Sequence, residues 1–177
     1  MRLDVHELES RKVPFDAAYH PGSIDLSGSK FEQAGDLRIA GWAEMAGPSE
    51  EIRVSGHISG RLSRECDRCL ETAALDLDQD FDLLYVPAAI DNDATDHAID
   101  EAESDIGYYE GDGLGLADVL TEQVLLWLPM HWTCREDCKG ICPACGANRN
   151  AAECDCRSEV ADERFAALKD FHPSARK

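Results

Sequence analysis

Between Cys69 and Cys134 the sequence has no lysine and no arginine, although 16 aspartates and glutamates fall there. This stretch is therefore excluded as a nucleic-acid interface, because neutralising a phosphate backbone needs Lys and Arg. Long apolar runs are missing too. None approaches the roughly 18–20 residues that a membrane-spanning helix requires, so no span is expected. The amino terminus, Met1-Arg-Leu-Asp-Val-His-Glu-Leu-Glu, is charged and lacks the apolar stretch of a secretory leader. A cytoplasmic, reducing setting is expected from it. Catalytic signatures are absent as well: there is no H-E-x-x-H, G-x-S-x-G, P-loop or G-x-G-x-x-G. Gly113-Leu-Gly115 is shorter than any of these and sits among acids, which rules against phosphate binding. No enzymatic activity and no small-molecule substrate are expected.

What the chain does have is acid and cysteine. Its 177 residues are 44% hydrophobic, enough for one ordinary domain with a small appendage. The net charge of −19 is uneven: residues 1–68 carry 12 acidic against 9 basic side chains and residues 135–177 carry 8 against 8. Nearly all the excess thus belongs to the central stretch. Such a field repels phosphates and attracts cations or basic proteins, or else it simply keeps a solvated surface soluble.

Six of the eight cysteines lie within Cys134–Cys156: Cys134, Cys138, Cys142, Cys145, Cys154 and Cys156. The other two, Cys66 and Cys69, form a lone C-x-x-C. Thiolates are soft ligands that suit Zn²⁺, and structural zinc takes four in a tetrahedron. Cys142-Pro-Ala-Cys145-Gly146 has the form of a zinc knuckle, in which the glycine lets backbone N–H groups turn toward sulfur. Zinc is favoured over a disulfide framework or redox-active thiols, since a cytosolic chain keeps its cysteines reduced. Spacing favours one site from Cys142, Cys145, Cys154 and Cys156 and another from Cys66, Cys69, Cys134 and Cys138. The alternative groups Cys134, Cys138, Cys142 and Cys145, leaving Cys66 and Cys69 with Cys154 and Cys156. All-cysteine sites are closed and structural, so His57 and His131 are not expected as ligands.

The pattern of apolar residues predicts an α+β fold: an antiparallel β-sheet with a long hairpin, a covering α-helix and a Cys-rich zinc-binding C-terminal module. Val13–Tyr19 and the stretch from Leu37 to Gly47 alternate like strands. Ile52, Val54, Gly56, Ile58, Gly60 and Leu62 fall on even positions, and Leu75, Leu77, Phe81, Leu83 and Tyr85 on odd ones. Together they predict a long hairpin with the C-x-x-C at its tip, thiolates converging outward, and Arg/Ser on one strand facing Asp on the other. Gly56 and Gly60 are expected at bulges or close backbone approaches. Residues 88–113 read as an acidic loop with a short strand near Ile106–Tyr109. Leu116, Val119, Leu120, Gln123, Val124, Trp127 and Leu128 share one face of a helix ended by Pro129. A short second helix is expected over Ala161–Phe171. The predicted division is 1–130 for the α+β domain and 131–177 for the zinc module.

Three features stand together: C-D-R-C-L at 66–70, the helix ending at Pro129, and C-x-x-D-C-K-G-I-C-P-x-C-G-x-N at 134–148. They resemble the YceD family of proteins for large-subunit ribosomal RNA accumulation. The tail, Cys154-Asp-Cys156 and then Asp162-Glu-Arg-Phe-Ala-Ala-Leu-Lys169, resembles the family's ending, with Glu163 where proline is usual. The resemblance implies a cytoplasmic, non-enzymatic factor that supports 23S rRNA accumulation and assembly of the large ribosomal subunit. It also implies a ribosomal protein or large-subunit precursor as partner, since family genes often neighbour that of a small basic ribosomal protein. Arg61, Arg64 and Arg68 near the hairpin tip, with Arg135, Lys139 and Arg149 in the zinc module, are candidates for rRNA contact. The bland alternative is that they balance nearby acids and thiolates.

Overall fold

The structure is a computed structural model and describes residues 1–47, 50–88 and 106–156. The expected helix over Ala161–Phe171 lies outside these residues, as does most of the acidic loop. The fold is α+β with a mixed, mostly antiparallel sheet.

The chain opens with β1 (Arg2–Asp4) and a short helix, α1 (Val5–Ser10). The Asp4 carboxylate accepts the His6 N–H at 2.9 Å and so caps α1, giving one orphan donor a partner. β2 (Val13–Tyr19), β3 (Glu32–Gln33), β4 (Leu37–Met45), β5 (Ile52–Glu65), β6 (Thr72–Pro87) and β7 (Ile106–Tyr109) form the main sheet. Its order is β2-β4-β5-β6-β7, and β3 pairs with the far end of β5. β5 and β6 run antiparallel from Ile52 opposite Tyr85 to Glu65 opposite Thr72. β7 departs from an all-antiparallel expectation: it lies parallel to β6, with Leu84 opposite Ile106 and Pro87 opposite Tyr109.

The pleat explains which side chains go inward. Leu37, Ile39, Ala43, Ile52, Val54, Ile58 and Leu62 are fully buried, on the alternate positions of β4 and β5. Leu77, Phe81 and Tyr85 of β6 join them, whereas Leu75 and Leu83 are only half-buried. Gly56 faces Gly41 across the ladder, and a Cβ on it would sit 2.4 Å from the Ala40 carbonyl oxygen. The expected close backbone approach is therefore present. On the other pleat Arg53 binds Asp82, Arg61 binds Asp76, and His57 lies between Asp78 and Asp80 at 2.7 and 2.8 Å.

A second, two-stranded sheet pairs β1 with β8 (Gly113–Gly115). It leads into α2 (Leu116–Trp127), whose N-cap Gly115 has no side chain to offer. The Leu116 N–H instead donates to the Met1 carbonyl at 3.1 Å, so β1 closes the helix end. Leu116, Val119, Leu120, Gln123 and Val124 of α2 are buried. The main core gathers the four apolar ones with Leu3, Val5 and Leu8 of the N-terminal segment and with Ile24, Leu26 and Phe31 of the connection before β3. The segment after α2 then meets the turn between β5 and β6.

Candidate metal centres

The turn after β5 holds Cys66-Asp67-Arg68-Cys69-Leu70. The outward-converging thiolates expected at a hairpin tip are not found: Cys66 is fully buried and Cys69 is 4% exposed. The chain from Trp132 to Ile141 covers them. The Asp67 N–H donates to the Trp132 carbonyl at 2.8 Å, and the Trp132 N–H donates back to Asp67 Oδ2 at 2.7 Å. The Ile141 N–H reaches the Arg68 carbonyl at 2.9 Å. These bonds bring Cys134 and Cys138 against Cys66 and Cys69.

The eight sulfurs form two groups of four: Cys66, Cys69, Cys134 and Cys138, and Cys142, Cys145, Cys154 and Cys156. Within each group all sulfurs lie within 4.8 Å of one another. This is the division that the spacing favoured. Cys66 Sγ lies 3.8 Å from Cys138 Sγ, and Cys69 Sγ lies 3.6 Å from Cys134 Sγ. A tetrahedron with Zn–S bonds of about 2.3 Å has edges of about 3.8 Å, whereas a disulfide needs about 2.05 Å. The donor set thus fits a four-coordinate thiophilic ion such as zinc, and both groups could hold one. The first group takes two ligands from each side of the 130/131 boundary.

The knuckles share one backbone design. Leu70 N–H donates to Cys66 carbonyl at 2.9 Å and Cys66 N–H to Glu71 carbonyl at 2.9 Å. In the second, Gly146 N–H donates to Cys142 carbonyl at 2.8 Å and Cys142 N–H to Ala147 carbonyl at 2.8 Å. The residue after the second cysteine is left-handed in both: φ is +63° at Leu70 and +74° at Gly146. Only the second obeys the glycine rule that made it visible in the sequence.

Donors point at sulfur. The Arg68 N–H lies 3.4 Å from Cys66 Sγ, and the Asn150 side-chain amide lies 3.3 Å from Cys138 Sγ. At Cys66 burial pushes the pKa up, but N–H groups of Cys134, Cys69 and Arg68 outweigh it and bring the thiol to about 6. At Cys142 the N–H groups of Cys145 and Ala144 likewise bring it to about 6. Cys134 is pushed up to about 12 by burial and its neighbouring sulfurs, and Cys156 to about 12 by Cys145. Four thiols crowded together cannot all ionise by themselves, and a divalent cation removes that conflict.

The centres differ in access. Cys66, Cys69 and Cys138 are buried, while Cys145 and Cys156 are exposed. They are nevertheless joined: Asn150, on the loop between Cys145 and Cys154, also accepts the Lys139 N–H at 2.8 Å and Arg135 Nη2 at 2.9 Å. Sequence reasoning missed Asn150, Asp67 and Trp132, because nothing in spacing marks a residue that holds a ligand indirectly.

The candidate basic residues are mostly engaged. The Arg64 side chain is 11% exposed, bonds Asp67 at 2.6 Å and lies 5.3 Å from the Phe31 ring. It braces the knuckle rather than facing solvent. Arg61 pairs with Asp76, Arg68 donates to the Cys138 carbonyl at 3.1 Å, and Arg135 pairs with Asp137 at 3.2 Å. Lys139 and Arg149 enter the site through backbone N–H groups, Arg149 donating to the Gly140 carbonyl at 2.9 Å. His57 pairs with aspartates, and His131 lies 4.0 Å from Asp67; neither joins a sulfur group.

No helix among the described residues is long and apolar enough to cross a membrane. Three curated proteins, each named uncharacterized, are 30% identical to this chain over 160 residues: Mb2951c of Mycobacterium bovis, and MT2996 and Rv2926c of Mycobacterium tuberculosis. The alignment covers 88% of this chain and 72% of each relative. No solved structure matches. The family model for the large ribosomal RNA subunit accumulation protein YceD matches residues 54–172, a span that contains both sulfur groups. The chain belongs to the YceD family.

Proposed function

We propose that this protein is a cytoplasmic, non-enzymatic factor that supports 23S rRNA accumulation and large-subunit assembly through a basic ribosomal protein, rRNA, or both. The β5–β6 hairpin and the covering helix α2 form its frame, and two structural zinc ions staple the C-terminal segment to it. The observation that carries the reading is the family match over 54–172, which takes in both cysteine centres and the acidic strand β6. Two further features support it. Closed all-thiolate sites leave no open coordination position for chemistry, and the lysine-free, arginine-free stretch favours a basic protein over bare phosphate as the direct contact. The test is the ratio of 23S to 16S rRNA in cells lacking the protein. The ratio should fall, with fewer free large subunits, and recover with the wild-type chain but not with Cys66→Ser/Cys69→Ser. An unchanged ratio overturns the reading.

One observation favours a second reading, a zinc–thiolate redox sensor: Cys145 and Cys156 are exposed. Hydrogen peroxide would take two electrons from these two thiolates and two protons from solvent, its O–O bond breaking to give two waters as one disulfide forms and the ion is freed. Unchanged thiol titration after mild peroxide treatment disposes of it.

A further inference from the structure

β6 is 16 residues long, but β7 covers its outer edge only from Leu84 to Pro87. Along residues 72–83 no strand among the described residues pairs with that edge. Natural sheets seldom leave so long an edge without a partner or a cover. Just where the β7 ladder begins, a hollow of about 330 Å³ opens between β6, the start of β7 and the C-terminal half of α2. Asp80, Asp82 and Glu122 line it with Tyr85, Leu126 and Trp127, and its lining holds no Lys, Arg or His. Leu126 is 70% exposed, a large apolar side chain offered to solvent.

We propose that this groove binds an extended basic peptide segment, which adds as a strand to the outer edge of β6 and rests an apolar side chain on Leu126. Main-chain hydrogen bonds to the edge supply affinity, and alternate side chains select the ligand. Charge decides the kind of partner. Asp76, Asp78, Asp80 and Asp82 stand on one pleat of β6, opposite Arg61, Ser59, His57 and Ser55, and Arg53 reaches Asp82 diagonally, so four carboxylates meet two arginines and one histidine. A second copy paired edge to edge would set these aspartates against their own kind, which destabilises directly opposed positions. Nucleic acid would be repelled outright. A cationic strand meets neither objection.

The inference rests on the proposed reading only for the partner's biological identity, and its test has no rRNA readout, so either can fail without the other. Metal-loaded full-length protein is mixed with a synthetic peptide alternating lysine and valine, and hydrogen exchange is followed along 72–83. Amides on that edge should slow on addition of the peptide. A glutamate–valine peptide should leave them unchanged. The same lysine peptide N-methylated on alternate amides keeps its charge but loses ladder bonds, and should bind about tenfold more weakly. Leu126→Lys, at an exposed helix position, should weaken binding about tenfold with an unchanged circular dichroism spectrum. Equal binding of the N-methylated peptide would reduce the effect to diffuse charge and overturn strand addition. Slow exchange of the amides of 72–83 that do not bond β5, before any peptide is added, would mean that the chain covers this edge itself, and would overturn the docking site.

Discussion

Leu70 occupies a backbone position that the second knuckle gives to Gly146, at φ of +63° and +74° respectively. A left-handed conformation costs an L-residue with a Cβ about 1–2 kcal/mol, while glycine's extra freedom in the unfolded chain costs about 0.5–1 kcal/mol. Leu70→Gly should therefore be neutral or stabilise by up to about 1 kcal/mol, and Gly146→Ala should destabilise by about 1 kcal/mol. Thermal unfolding of the metal-loaded protein reads both. The asymmetry also explains which knuckle was legible: C-P-A-C-G declares itself, whereas C-D-R-C-L hides the same turn behind a leucine. Asn150 is a second such case, recognisable only once its amide is seen 3.3 Å from Cys138 Sγ. Outer contacts of this kind tune metal affinity by about 10–100-fold. Asn150→Ala should weaken the first centre by that order, measured by competition with a chromophoric chelator, although Asn150 belongs to the loop of the second. His57 offers a pH readout. Its hydrogen bond to Asp80, helped by Asp78 and opposed by slight desolvation, raises its pKa above the usual 6.5. A raised folded pKa means that the contribution to stability is full below about 6.5 and fades as pH rises through the folded value. The ring resonances of His57 should titrate above 6.5, and Asp80→Asn should move them back down.

At the scale of elements, periodicity carried most of the information. The even positions of β5 and the i, i+3, i+4 stripe of α2 can be read straight from Ile52, Val54, Ile58, Leu62, Leu116, Val119, Leu120 and Val124, all fully or almost fully buried. The short elements could not be read that way. β1, β3 and β8 span only two or three residues, too few to show a period, and β1 and β8 exist because chain segments more than 100 residues apart pair. The parallel register of β7 is likewise fixed by its docking on β6, not by its own four residues. Within α2, burial separates two kinds of leucine. Leu120 is 0% exposed, so Leu120→Ala should cost about 2–5 kcal/mol. Leu126→Ala, on the solvent side, should change stability by no more than about 0.5 kcal/mol. Urea unfolding at fixed metal concentration distinguishes them, and equal effects would contradict the assignment of the buried face.

For the whole molecule, the cysteine centres add long-range connections to those of the sheets. The first joins Cys66 to Cys138, 72 positions apart, and so closes the β5–β6 turn onto the segment that leaves α2. Closing so long a loop removes much of the unfolded chain's freedom, which is why a metal there has large leverage on folding. Spacing favoured the division into two fours without excluding the alternative grouping, and the inward burial of Cys66 and Cys69 was not legible at all. It depends on Trp132 and Ile141 folding over the turn, contacts that only the tertiary structure reveals. Native mass spectrometry of the protein purified under reducing conditions tests the central claim most directly. The account predicts two zinc ions per chain with all eight cysteines reduced, and one zinc ion in Cys66→Ser/Cys69→Ser. A metal-free chain whose mass shows cysteines lost to disulfides would contradict it.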